Sequence, residues 1–221
     1  MKRDFRSPGI ILLDWDGTLL NSYNSDMRAY LAMFRALKIE WSIAEVERHY
    51  SPNWYRVYEA AKIPRKDWTR ADRLWRRAYA AESPALLPGV RHVLRRLRAR
   101  YKLGIVTGGS RPRVRKQIRY FDFRDYFSVC IYSEDTLRKK PDPAPLRLAL
   151  NRLRAQPGDC VYVGDAPEDI QMARRARVHA VGVLGPFPTA EGIRAAGPDA
   201  LLGSIQELPD YLSLLEKNAG K

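Results

Sequence analysis

Histidine is scarce in this chain, and the three present, His49, His92 and His179, are too dispersed in sequence to suggest a metal cluster. Long apolar runs are missing too. No stretch approaches the ~20 apolar residues of a membrane span, and no apolar segment of signal-peptide length follows the basic start MKRDFRSPG. A soluble, cytoplasmic protein with no membrane partner is therefore expected. Acidic residues are outnumbered, 25 Asp and Glu against 39 Lys and Arg, for a formal net charge of +14. That balance favours anionic ligands or polyanions and says nothing about fold. The two most basic segments, Arg91 to Arg100 and Arg111 to Arg119, also lack interleaved aromatics, which a single-strand nucleic-acid binder uses for base stacking. Both keep their apolar residues at helical spacing, so their arginines are expected on outer, solvated faces and no specific nucleic-acid partner is expected.

What is present is an alternation of short apolar runs with helical patterns. Ile10 to Leu13, Leu103 to Val106, Ser128 to Tyr132, Cys160 to Val163 and Ala180 to Leu184 each have strand length and end in a polar or Gly-bearing turn. Val90, Val93, Leu94 and Leu97 recur at helical spacing, as do Leu146, Ala149, Leu150 and Leu153. These read as crossover helices of βαβ units in a mainly parallel sheet, an α/β fold. A 221-residue chain suffices for one such domain with a small insertion.

The long gap after the first strand is that insertion. Met27, Tyr30, Leu31 and Phe34, then Trp54, Val57, Tyr58 and Ala61, follow helical spacing, and four of the five tryptophans lie here. The expected division is a core of residues 1–20 and 84–221 with a helical domain at 21–83; the alternative is extra helices packed directly on the sheet. Trp41, Trp54, Tyr55, Tyr58, Trp68 and Trp75 could stack on a base or sugar, but a small helical domain needs large side chains for its own core, and packing is the expected role. Arg56, Lys62 and Arg65 are equally candidates for an anionic substrate tail or for solvation.

The first strand runs into Asp14-Trp15-Asp16-Gly17-Thr18. In open parallel sheets ligands bind beyond the carboxyl ends of the strands, and two aspartates spaced by two share one side of an extended backbone. Clustered carboxylates repel unless a cation neutralises them, and oxygen ligands suit Mg²⁺. One solvated aspartate would need no such account; the other strand ends argue for one. The second strand meets Thr107-Gly108-Gly109-Ser110, a hydroxyl followed by exposed backbone N–H groups that can cradle an anion. Lys139-Lys140-Pro141 follows the third, and Gly164-Asp165-Ala166-Pro167-Glu168-Asp169 the fourth.

In this order the motifs resemble those of the haloacid dehalogenase superfamily: Asp14-Trp15-Asp16-Gly17-Thr18 its first, Thr107 its second, Lys140 its third, Gly164-Asp165 with Asp169 its fourth. The likeness covers nearly the whole chain. It implies a Rossmann-like sheet with the first strand central, flanked by the second and fourth, and a helical cap similar to that of the phosphoglycolate phosphatase-like and β-phosphoglucomutase-like branch. It further implies Asp14 as nucleophile, forming an aspartyl-phosphate, and Asp16 as general acid and base. Mg²⁺ would be held by Asp14, the Asp16 backbone carbonyl and Asp165, with Asp169 acting through water or by orienting its neighbours. Thr107, the Gly108 N–H and Lys140 would bind the phosphate of a small phosphorylated metabolite. Lys139 is a rival to Lys140, but the family places its lysine directly before the proline.

Asp16 favours phosphate over carbon–halogen or phosphonate chemistry, since only an ester leaving group needs its proton. Phosphomutases of the superfamily retain both aspartates and rank below hydrolysis, and a non-catalytic scaffold or polyanion binder ranks below it because no essential residue is missing. Departures are Ala166, where many relatives carry a hydroxyl, Arg177, where the helix often ends in Gly, and Ser51-Pro52-Asn53-Trp54-Tyr55-Arg56, which matches neither branch's substrate loop. The leaving group stays unassigned, and the expected assembly is a monomer or homodimer. Cys130 and Cys160 fall in the third and fourth strands, two strands apart in the family order, ~14 Å at the inter-strand spacing and beyond disulfide reach.

Overall fold

The computed structural model describes residues 8–219, and among these no helix is long and apolar enough to cross a membrane. A six-stranded parallel sheet is built from β1 (Ile10–Leu13), β4 (Lys102–Val106), β5 (Phe127–Ile131), β6 (Cys160–Gly164), β7 (His179–Val183) and β8 (Ala200–Leu202). Their order is β5-β4-β1-β6-β7-β8. β1 is thus central, between β4 and β6, as the motif order implies.

The strands read as unbroken apolar runs because both faces are buried. Ile11, Leu13, Leu103, Ile105, Val161 and Val163 point into one core with Val93, Leu97 and Val114 of the helices α5 (Val90–Arg98) and α6 (Arg111–Tyr120). Ile10, Leu12, Val106, Cys160 and Tyr162 point into the other, with Leu146, Ile170 and Ile193 of α7 (Ala144–Leu153), α8 (Pro167–Arg175) and α9 (Ala190–Ala196). A terminal helix, α10 (Leu208–Ala219), adds Leu208 and Leu212 to the first core. Period-2 alternation is visible only in this division between two apolar cores, which is how parallel sheets hide it. Cys130 and Cys160 are both free thiols on strands separated by β4 and β1.

Two strand bounds sit one residue earlier than the sequence suggests, at Phe127–Ile131 and His179–Val183, because pairing with β4 and β6 sets the ends. β8 was not expected. Ala200-Leu201-Leu202 is too short to stand out as an apolar run, and it becomes a strand by pairing with Val181 to Val183.

The chain leaves the core after β1 and returns through a two-residue antiparallel ribbon, β2 (Leu20–Asn21) against β3 (Ala85–Leu86). Between them lie α1 (Tyr23–Ala36), α2 (Ile43–His49), α3 (Trp54–Ala60) and α4 (Trp68–Tyr79). Ser42 caps α2 reciprocally with Glu45, satisfying two otherwise orphaned N–H groups. These helices surround their own apolar cluster of Met27, Tyr30, Phe34, Val46, Val57 and Tyr58, joined from the core side by Phe187. Trp41, Tyr55 and Trp68 pack against it.

Candidate active site

The site grows from the carboxyl ends of the central strands. Asp14 follows Leu13 directly, and its N–H still donates to Val163 O (2.9 Å), which extends the sheet register and fixes where its carboxylate emerges. Asp165 leaves β6 in the neighbouring position, and Asp169 sits one turn into α8, where its Oδ2 accepts from Ala166 N (3.1 Å) and caps the helix. The side chains of Asp14, Asp165 and Asp169 are all buried, and one oxygen from each lies within 4.8 Å of the others.

Lys140 reaches this group from the loop after β5. Its Nζ lies 2.8 Å from Asp14 Oδ1 and 2.6 Å from Asp169 Oδ1, and it is only 3% exposed. Lys139 is turned away, its Nζ donating to the carbonyls of Ser133 and Thr136. The neighbouring lysines are thus distinguished by what each reaches. Tyr162, on β6, donates to Asp169 Oδ1 (2.9 Å) and to Val106 O (3.0 Å), so Asp169 is held by a lysine, a phenol and a backbone amide at once. Thr18 Oγ1 donates to Asp165 Oδ1 (2.8 Å). Gly17 makes this approach possible: its φ is +77°, and a Cβ there would lie 2.0 Å from Asp165 Oδ2.

One ammonium does not balance three carboxylates. Burial, against which Lys140 works, pushes Asp14 up to about 7, with the Asp169 charge adding to the rise. Burial and the charges of Asp14 and Asp169 hold Asp165 well above the usual carboxylate range. Burial opposes the Lys140 charge, yet the facing Asp14 and Asp169 carboxylates keep its pKa above the ordinary lysine value. A buried set of hard oxygen donors with surplus negative charge fits a divalent cation such as Mg²⁺.

The raised acids fix the sign of a pH effect. Carboxyls whose folded pKa exceeds the unfolded value bind more protons folded than unfolded, so stability falls as pH rises from about 4 through the folded values. Without Mg²⁺ the protein should melt at a lower temperature at about pH 8 than at about pH 5, and added Mg²⁺ should raise the melting temperature more at the higher pH. Calorimetric scans with and without chelator check this.

Asp16 faces a different partner. Arg113, on α6, clamps its carboxylate with two parallel bonds, Nη1 to Oδ1 (2.7 Å) and Nη2 to Oδ2 (2.6 Å). The guanidinium lies over the Tyr79 ring (4.9 Å) and near Trp75 (5.9 Å), both on α4. Gln117, one turn on from Arg113, accepts from Trp15 Nε1 (2.9 Å). Burial disfavours the Arg113 charge, and the Asp16 carboxylate more than restores it. Here the expectation of outward arginines is corrected. Arg95, Arg96, Arg98, Arg115 and Arg119 are exposed, but Arg113 is only 16% exposed because it flanks the buried Val114 on the side of α6 that faces Asp16. Arg113→Gln should lower turnover about 10-fold to 100-fold through loss of Asp16 orientation, with smaller change in KM; steady-state kinetics check it.

Thr107 is buried at the end of β4, and its Oγ1 accepts from Gly109 N (2.9 Å). Gly108 has a positional reason: a Cβ there would lie 2.9 Å from the Pro52 carbonyl. Pro52 belongs to the loop before α3 that the sequence left without a match, and that loop is docked on the core. Ser51 Oγ donates to Glu168 Oε1 (2.6 Å), and Arg56 Nη1 lies 3.4 Å from the same atom. Arg56, Lys62 and Arg65 do not line the cavity: Arg56 is engaged with Glu168, and Arg65 lies over Trp68 (5.3 Å).

Strand ends and inserted helices line one cavity, open on one side. Asp14, Asp16, Thr107, Gly108 and Asp165 line its floor; Tyr30, Trp54, Tyr58, Asp72 and Trp75 line its roof. Asp26 also faces it, pushed up to about 8 by burial and by the nearby Asp16 charge, with Ser22 Oγ donating to its Oδ2 (3.0 Å). The sequence reading missed Arg113, Asp26, Asp72, Glu168 and Tyr162. For Tyr162 the signal was available, a phenol within an otherwise aliphatic buried strand. Glu168 stood in the strand-end motif after the fourth strand with no partner to suggest its role, and the others belong to helix patterns in which exposure was the default.

Known proteins resemble this chain in sequence and in fold. The family model described as haloacid dehalogenase-like hydrolase matches residues 11–183. A curated phosphoglycolate phosphatase of Salmonella typhimurium is 36% identical over 136 residues, 61% of this chain and 54% of that protein, so the match spans about half that relative's length. Among solved structures, a haloacid dehalogenase-like family protein of Streptococcus pneumoniae superposes with a TM-score of 0.81 at 20% identity, covering 93% of this chain and 98% of that one. CbbY of Rhodobacter sphaeroides, solved with phosphate, does so with a TM-score of 0.74 at 24% identity, covering 91% and 96%. At these identities the structural likenesses speak to fold.

Proposed function

The chain belongs to the haloacid dehalogenase-like hydrolase family, and from that premise we propose that it is a Mg²⁺-dependent phosphatase that hydrolyses a small phosphorylated metabolite through a phosphorylated Asp14. The observation that carries this is the buried arrangement of Asp14, Asp165 and Asp169 around Lys140 at the mouth of the central strands. The family match and the curated relative's name support phosphate ester chemistry.

Asp14 attacks phosphorus and the ester oxygen departs, which divides one difficult displacement into two easier ones. Asp16 gives the leaving oxygen its proton and then takes one from the water that hydrolyses the aspartyl-phosphate. Arg113 grips both oxygens of Asp16 and so orients it toward the leaving oxygen and the water. Lys140 and Thr107, with the Gly108 N–H, hold the equatorial phosphate oxygens as charge redistributes. Asp14, Asp165 and the Asp16 backbone carbonyl would hold Mg²⁺, which would supply positive charge to offset that of the carboxylates and the phosphate. Asp169 keeps Lys140 in place and Thr18 orients Asp165.

Residues 21–83 act as a cap over a core of residues 1–20 and 84–221. Ser51 and Arg56 latch it to Glu168 and keep water out of the cavity during the first step. The direct test is phosphate release from an aryl phosphate with Mg²⁺ and after exhaustive chelation. Activity is expected to vanish with chelator and return with Mg²⁺, and full rates in chelator would remove the metal from the reaction.

A further inference from the structure

We propose that the leaving group is an uncharged, hydroxyl-bearing ring of the monosaccharide class, not a carboxylate-bearing fragment such as glycolate. The inference rests on the phosphatase reading above and concerns the half of the cavity that the phosphate does not use. Its walls there are aromatic: Tyr30, Tyr50, Trp54, Tyr58 and Trp75 all line it. Faces of this kind pack against the C–H faces of a sugar ring at little entropic cost, since each side chain has only two rotatable angles.

The polar groups between these rings suit hydroxyls. Asp72 lines the cavity and accepts from Tyr58 Oη (2.8 Å), leaving its other oxygen able to accept from a ligand O–H. Burial, with the Asp26 and Asp72 charges, keeps the Tyr30 phenol protonated and so a donor. Most telling are two indole N–H groups. Trp54 Nε1 and Trp75 Nε1 are both buried, and among the described residues neither has a hydrogen-bond acceptor. A buried donor without a partner is costly, and both rings line the cavity in which a ligand oxygen would supply one.

The same inventory argues against an anionic tail. Two arginines line the cavity, Arg76 and Arg113. Both terminal nitrogens of Arg113 are committed to Asp16, so its one unpartnered N–H, the buried Nε, belongs to a guanidinium whose charge is already paired, and Arg76 is exposed one helical turn from Asp72. A carboxylate placed here would meet Asp72 without a buried cation whose charge is left to pair with it, an arrangement that costs far more than a neutral group in the same position. This separates the chain from the phosphoglycolate phosphatase to which about three-fifths of it aligns.

The test is kcat/KM of the full chain with Mg²⁺ for glucose 6-phosphate, 2-phosphoglycolate, a nucleoside 5′-monophosphate and 4-nitrophenyl phosphate. Glucose 6-phosphate should exceed 2-phosphoglycolate at least about 10-fold. Trp54→Phe and Trp75→Phe, each keeping a ring but losing the N–H, should each lower the preference for glucose 6-phosphate over 4-nitrophenyl phosphate about fivefold, the scale of one neutral hydrogen bond. Equal or better use of 2-phosphoglycolate, with 4-nitrophenyl phosphate still cleaved, would overturn the substrate class and leave the phosphatase standing. A clear preference for the nucleotide would replace the sugar with a stacked base. Failure to cleave all four, the aryl phosphate included, would overturn the phosphatase reading itself.

Discussion

Asp14→Asn should abolish phosphate release, by a factor on the order of 10⁴ or more, the scale on which removing a nucleophile from a hydrolytic site is felt. The fold should survive. An amide has nearly the shape of the carboxyl it replaces, and the site already disfavours charge on Asp14, whose pKa burial pushes up to about 7. Without Mg²⁺ the variant should be as stable as the parent, or more so at alkaline pH, because one of three crowded carboxylates has gone. Mg²⁺ should then stabilise the variant less than the parent. Phosphate release and thermal unfolding, each with and without Mg²⁺, check both halves. A variant that turns over at near-parental rate would remove Asp14 as nucleophile.

Lys140→Met has the opposite character, since it damages both reaction and fold. The ammonium is 3% exposed and lies between Asp14 and Asp169, 2.8 and 2.6 Å away. Its removal leaves two buried carboxylates facing one another, and breaking a buried ion pair from one side costs about 3–5 kcal/mol. Neutral pH should show that loss in denaturant unfolding, and a lower pH should shrink it as the carboxyls take up protons. Activity should fall about 10²–10³-fold, the range for removing one group that stabilises developing charge on the reacting phosphate. Parental stability in this variant at neutral pH would mean that Lys140 does not neutralise the site.

Much of this site was legible from residue order because strand ends announce themselves. A run buried on both faces, such as Ile10 to Leu13 or Cys160 to Val163, has no reason to end in aspartate unless the aspartate is used, and each such end delivered a residue to one cluster. The choice of Lys140 over Lys139 came from the family resemblance instead, and in the structure Lys139 lies on loop carbonyls and Lys140 on Asp14. Less was legible where a helix contributes sideways. Arg113 sits among exposed arginines of identical type, and only the placement of α6 against Asp16 distinguishes it. Glu168 and Ser51 are 117 residues apart, and their bond exists only once the inserted helices dock. β8 illustrates the same limit at the level of fold, three residues given strand form by a neighbour. Local pattern carries what the backbone needs locally; contacts made by tertiary placement leave no periodic trace.

The aromatic residues of the inserted helices divide in an instructive way. Phe34 is fully buried and serves packing, while Tyr58, Trp54 and Trp75 belong to the same cluster and also line the cavity. Packing and cavity lining are therefore shared by one set of rings, and composition alone could not divide them.

The most direct measurement of the central claim is the fate of the phosphoryl group during turnover. The protein is mixed with a ³²P-labelled aryl phosphate and Mg²⁺, quenched in acid within the first turnover, digested and sequenced by mass spectrometry, with borohydride reduction to mark an acyl phosphate. The account predicts label on the peptide that contains Asp14, lost in Asp14→Asn and chased away by water in the parent. Turnover without any labelled peptide, or with label on another residue, would contradict it.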